Sequence, residues 1–440
     1  MNVETTFDLK DKLVEDFFRL EEKRKSLNLN GQSAYWTKGI DAFKKQQFPT
    51  TKNEDWKYTN LKPYIERDYS NYPSSALDKK INVSDYISSE EVYYITFVNG
   101  EWSEVNTKLP EGEGVVVSNL MFAIETEYKG VKNHFGKYLS LDDNIFSAIN
   151  AASFTDGLFV EVADGVVLDK PIVCLYFSDS SQGNLTANYR NLFVVGENAQ
   201  VKILEYNYSL NNANYVLNTF ATEVCVGKSA NVDYYKFQLD ESKVSQVNQV
   251  EGKQGQSSVF TTNTFTLSGD LVRNEVNILL DGEHIESFLN GLYLTDGKML
   301  VDNRSLMDHV QPNCMSDEFY KGIIGGQSRA VFNGKIMVHQ EAQKTNAFQS
   351  NKNILVSDDA TINTKPQLEI FADDVRCTHG ATIGQIDKDA LFYMQARGIG
   401  KDVARKLLLK SFAADVVERV QLDFAKDFLI DLIEKKLDQI

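Results

Sequence analysis

From Ile172 to Val310 the chain carries no proline, and β-branched and aromatic runs are broken there by Gly, Asp and Asn. Proline cannot donate to a strand ladder, so a stretch this long without it suits many central strands. "GLFVEVADGVVL", "QVKILEYNYSL", "NVDYYKFQL" and "EVNILL" all read as such strands. Two segments also echo one another. "VVGENAQVKI" and "VCVGKSANVDY" share V-G-x-x-A-x-V, with Gly196 and Gly227 31 residues apart, and "LVSDDATINT" around Ala360 repeats the idea. A turn, a small residue and an inward β-branched residue is what one coil of a stacked solenoid needs. No blade motif recurs with constant period, as a propeller would require. The strand zone is also long for one sandwich. The expected core is a parallel β-helix over residues 157–384.

Helical patterns flank this core. "DLKDKLVEDFFRLEEKRKSL" places Leu13, Phe17 and Leu20 at helical spacing, "SAYWTKGIDAFKKQQF" reads as a second amphipathic helix, and "LDDNIFSAINAASFTDG" closes an N-terminal helical region with loops, residues 1–156. Asp387 is a natural N-cap for "KDALFYMQARG", which Gly398 stops. Two amphipathic helices follow. Phe412, Val416 and Val420 form one stripe, and Phe428, Leu432 and Ile433 another, giving a C-terminal helical region over 385–440.

Composition narrows the function. The formal net charge is −16, from 46 basic and 62 acidic residues, which opposes binding to nucleic acid or anionic membranes. No stretch approaches a membrane span. Four cysteines without CxxC spacing fit a reducing compartment, and with no apolar leader near the N-terminus the expected location is cytoplasmic. "VGKS" at 226–229 lacks the earlier glycine of a phosphate-binding loop, because Thr222 stands there, so it reads as a turn and the chain is not expected to hydrolyse ATP. "ARGIGKDVARKLL" resembles a helix-hairpin-helix with Lys401, Arg405, Lys406 and Lys410 nearby; the plainer reading is an αα-turn. His309 and His339 read as structural, and Cys174 and Cys225 as core. Trp56, amid charges in "TKNEDWKYTNL", suits packing between regions and an interface equally.

Cys377 and His379, in "DDVRCTHGATIG", stand apart. On a strand, residues i and i+2 share a face. Thiol and imidazole side by side fit two ligands of a soft metal, part of a nucleophilic pair, or two core residues. Two ligands are too few for a closed metal site, though a half-site completed by another chain meets that objection.

"NEDWKYTNL" and the block "KTNAFQSNKNILVSDDATINTKPQLEIFADDVRCTHGATIGQIDKDALFYMQARGI" resemble the SufB/SufD family of iron–sulfur cluster assembly scaffolds. The resemblance covers essentially the whole chain. It implies a right-handed parallel β-helix between helical regions, and a scaffold subunit rather than an enzyme, with no catalytic residue. It also implies pairing with a SufB paralogue, docking of a SufC ATPase through 385–440, and transient iron or an iron–sulfur cluster at the SufB–SufD interface. By the same resemblance Cys377 and His379 match the family's Cys-x-His positions near that interface. "QSNKNILVS" stands where the SufB branch shows a cysteine, and Gly380 where that branch has an acidic residue, which places the chain on the SufD side. The ligands would then be incomplete without a second chain, and isolated subunits could pair with themselves. Readings from other classes are a β-helix carbohydrate-active enzyme and a metal-free interaction protein.

Overall fold

The structure, a computed structural model, describes residues 8–26, 33–69, 81–87, 91–110 and 112–440. Its centre is a parallel β-solenoid of about eight turns, made of two facing sheets. The first sheet runs from Glu101–Trp102 and Tyr93–Val98 to Arg376–Gly384. The second runs from Val115–Asn119 to Thr361–Thr364 and Gln367–Ile370, which both pair with Arg329–Val338. Successive coils differ in length. Gln200 pairs with Asn231, 31 residues on, Asn231 with Val259, 28 on, and Val259 with Glu286, 27 on.

The echoed motif marks the corner where the chain leaves the second sheet for the first. A Cβ on Gly227 would lie 2.7 Å from the carbonyl carbon of Gly196 in the coil below, so only glycine lets these corners stack. Two residues later the chain adopts positive φ, at Asn198 and Ser229, and it does so again at Ser257, His284, Asn313 and Lys344. Ala199 and Ala230 then enter strands of the first sheet. Ala360, the third echo, instead enters Thr361–Thr364 on the second sheet, so its likeness is to the opposite corner.

Strand alternation sends one set of side chains into the lumen and the other outward. Apolar residues such as Ile203, Val232, Phe260 and Ile336 fill much of the lumen. A polar row runs beside them. The buried Lys236 lies 3.0 Å from Glu205 and donates to Asn248, and Gln238, Asn274 and Asn303 bond across neighbouring coils. The outer face of the second sheet, including Leu192, Leu217 and Val247, is covered by the helices Leu9–Ser26, Ser33–Lys45 and Ile145–Ser153. Leu13, Phe17 and Leu20 are buried, as their spacing implies.

The outer face of the first sheet carries the helices Lys401–Val417 and Asp423–Leu437. Val416 and Val420 are buried there. In the last helix the deepest row is Ala425, Leu429, Ile433 and Leu437, one position round from the expected Phe428 and Leu432. Phe428 flanks that row, its ring 5.6 Å from Tyr206 and 5.7 Å from Phe237. Strands also begin before residue 157: Tyr93–Val98 and Val115–Asn119 extend both sheets at their starts.

Trp56 packs between regions. It is buried, stacked on Phe146 at 5.6 Å, and lies beneath the Arg273 guanidinium at 3.7 Å. Arg273 pairs with the buried Asp302, which also accepts from the Thr59 hydroxyl at 2.7 Å. Arg304 to Asp55 and Lys365 to Glu54, each 2.7 Å, complete a strap across the second sheet.

Candidate functional site

Among the described residues, no strand continues the solenoid beyond its last coil. Arg376–Gly384 bonds on one side only, in parallel with Asn346–Leu355, and every residue in it but Cys377 is exposed. Ile370, Phe371 and Ile383 are exposed apolar residues at the same end. An unpaired edge with apolar neighbours is a template for a further strand, which natural sheets normally cover or blunt.

Cys377 and His379 share the lumen side of this strand, stacked in register on Ala347 and Gln349. Cys377 is half-buried against the apolar lining, and burial pushes its thiol up from the ordinary range. The free thiol is therefore the resting form, and a metal binding there would have to displace its proton. His379 is exposed, and its ring makes no hydrogen bond among the described residues. Among those residues no three His, Cys, Asp or Glu side chains converge to hold a metal ion. Two donors on an open end are what this chain offers.

Two family models match the chain. Residues 12–174 match the family model for the SufBD protein N-terminal region. Residues 176–412 match that for the SUF system FeS cluster assembly SufBD core domain. The chain belongs to the SufBD family. It is 28% identical to the iron–sulfur cluster assembly protein SufD of Escherichia coli, over 88% of this chain and 89% of that one. It is 28% identical to a SufBD family protein of Synechocystis, over 86% and 84%, and 25% identical to SufD of Bacillus subtilis, over 88% and 89%.

The other marked residues of this SufBD chain lie away from the open end. His309 is fully buried, its Nε2 2.9 Å from the Ser316 hydroxyl, and burial pushes it down to about 4. Cys314 turns to the Gly282 carbonyl, and Asp308 pairs with His339 at 2.9 Å, so these neighbours in sequence do not converge. Cys174 is core. Cys225 is only half-buried, on the outer face of the second sheet beside Tyr138, because that face is covered by a loop segment rather than by the lumen. "VGKS" is a corner between strands. In the 396–401 turn Gly398 has φ of +86°, and three of the four nearby cations are engaged within the chain: Arg405 by the Val356 carbonyl, Lys406 by Asp438, and Lys410 by Glu434.

Sequence reasoning missed the polar layer beneath His379. Gln349, Asn351 and Asn353 alternate into the lumen, and under them Glu318 is fully buried. The signal was present as amide residues at i, i+2 and i+4 in "FQSNKN", which an apolar-core template discards.

Proposed function

We propose that this SufBD family member is a SufD-like scaffold subunit, without catalytic residues of its own, that pairs with a SufB paralogue through the open end of its solenoid. A SufC ATPase docks on the C-terminal helices within 385–440. Iron, or a nascent iron–sulfur cluster, is the cargo assembled at the paired interface, with His379 and the less accessible Cys377 as this chain's contribution. The observation that carries this reading is the last coil: an exposed edge strand that presents an imidazole and a thiol on one side, with no third ligand converging on them among the described residues. Imidazole and thiolate are suitable iron ligands, and a mixed, interface-split set releases its cargo more readily than an all-thiolate cage. A second chain would supply both the missing strand and the missing donors.

The helical region supports the docking assignment in part of its length. Lys401–Val417 and Asp423–Leu437 bury one face on the first sheet, while Phe392, Tyr393, Val403 and Leu407 remain exposed. Exposed aromatics beside a helical turn are typical interface anchors.

The test is co-expression with SufB and SufC partners, anaerobic reconstitution, and absorbance spectra of wild type and His379→Ala. The expected result is loss of cluster yield with the complex intact. Unchanged yield removes His379 from the site. For the ATPase, Phe392→Asp with Tyr393→Asp is preferable to deleting 385–440, which would strip the first sheet. Retained ATPase binding in that double variant would overturn the docking assignment.

A further inference from the structure

The ring of His379 sits one rung above Gln349 on the same side of a parallel ladder. Adjacent rungs are about 4.8 Å apart, within reach of two facing side chains. Gln349 is buried and its amide nitrogen is committed, donating at 2.7 Å to Glu318 Oε2. Its Oε1 is also buried and has no partner among the described residues. Below, Glu318 Oε1 meets the Ser305 hydroxyl, on the opposite wall of the lumen. Next to Ser305 in register stands Gly334, where a Cβ would come within 2.4 Å of Gln349 Nε2 and 2.8 Å of Glu318 Oε2. Glycine there leaves room for the pair.

These contacts fix which way the amide faces. A carboxylate Glu318 can only accept, so Gln349 must turn its NH2 towards it and its oxygen away. The same orientation holds if Glu318 is protonated on Oε1, since that proton can go to the Ser305 oxygen while Oε2 still accepts. A buried acceptor is left one rung below an imidazole that has no partner among the described residues. We propose that Gln349, held by Glu318 and Ser305, is a positioning residue for His379. Its Oε1 takes one ring N–H after a rotation of the His379 side chain, which fixes the tautomer and turns the other ring nitrogen, with its lone pair, out of the open end. Use of that lone pair for iron rests on the function proposed above; the positioning does not.

The experiment uses the full chain labelled with 15N-histidine, which has five histidines, with His379 assigned by the signal lost in His379→Ala. At pH 8, above the ordinary histidine range, the ring of wild-type His379 is expected to show one protonated and one lone-pair nitrogen. In Gln349→Met, similar in length but without an acceptor, both nitrogens should move to the averaged shifts of a solvent-exposed ring. Gly334→Ala, which displaces the pair without touching His379, should do the same and serves if Gln349→Met fails to fold. Averaged shifts in the wild type, or a single tautomer that survives both substitutions, would overturn the proposal. In the reconstituted complex, Gln349→Met should weaken iron retention about 10–100-fold, the usual effect of removing a histidine ligand's hydrogen-bond partner. If His379→Ala leaves cluster yield unchanged while the tautomer result holds, the positioning stands and the iron-binding role fails.

Discussion

The two ends of the solenoid are built in opposite ways. At the first end, Glu101–Trp102 and Val115–Asn119 turn antiparallel against their neighbours and stop both sheets. The lumen beneath is rich in stacked rings: Phe97 stacks on Tyr176 at 5.5 Å, and Tyr176 and Phe220 lie close to Tyr189. At the last end the ladder keeps its parallel register to the final strand, and the lumen beneath sets Glu318, Gln349, Asn351 and Asn353 beside the rings of Tyr320 and Phe332. An apolar lumen gains by being sealed, whereas a polar one tolerates contact with water until a partner arrives. The first end terminates a sheet. The last end offers one to be continued.

Phe97→Ala at the sealed end should cost about 3–5 kcal/mol, as for large aromatics in tight cores, while Ile383→Ala at the open end should stay within about 0.5 kcal/mol. Urea denaturation of the two variants tests the contrast, and equal losses would mean that the open end is as consolidated as the sealed one. Glu318 sharpens it next. Burial raises its carboxyl from 4.5 to about 7. The neutral acid favours the folded state, so its stabilisation is complete below pH 4.5 and is lost as pH rises to about 7, up to about 3 kcal/mol by linkage. Glu318→Gln should flatten the stability profile across that window, and an unchanged slope would show that Glu318 does not carry it.

Edge pairing gives a smaller free-energy change with a clear readout. The Arg376 N–H donates to the Thr345 carbonyl at 2.8 Å, and by strand alternation the amides of 377, 379, 381 and 383 face away from the sheet. Ala381→Pro removes one outward donor without touching the inward ladder. It should weaken association with the SufB paralogue, or with a second copy of this chain, at least about tenfold while leaving the melting temperature nearly unchanged. Sedimentation of wild type and variant decides it, and undiminished association would place the interface elsewhere. The smallest effect belongs to the corners. Ser257→Gly relieves a left-handed residue, which costs a side chain about 1–2 kcal/mol, and should raise stability by about 1 kcal/mol in thermal melts.

The solenoid was legible because its signals are local and repeated: absent proline, alternating strands, and a glycine corner at Gly196 and Gly227. Trp56 was undecided for a different reason. What buries it is Arg273 and Phe146, 217 and 90 residues away, and no spacing within "NEDWKYTNL" reveals them. The candidate pair Cys377 and His379 was visible as a same-face dipeptide spacing, yet its position on the last, uncovered strand was not. Gln349 and Glu318 stayed hidden because polar residues inside strands look solvent-facing until the opposite wall, with Ser305 and Gly334, is in place.

The left-handed corners have one more consequence. Six non-glycine residues, from Asn198 to Lys344, take positive φ at the same place in successive coils, although those coils differ in length. Each left-handed residue stands two positions before a strand of the first sheet, so those strands start in register although strand and linker lengths vary. Each coil is thus an interchangeable length of chain between two fixed hinges. Duplicating or excising a whole coil, cut from one left-handed residue to the next, should preserve the fold, whereas removing half of one would throw all later strands onto the wrong face. Evolution and protein engineering can therefore tune how far the sealed end lies from the open one in whole-coil steps.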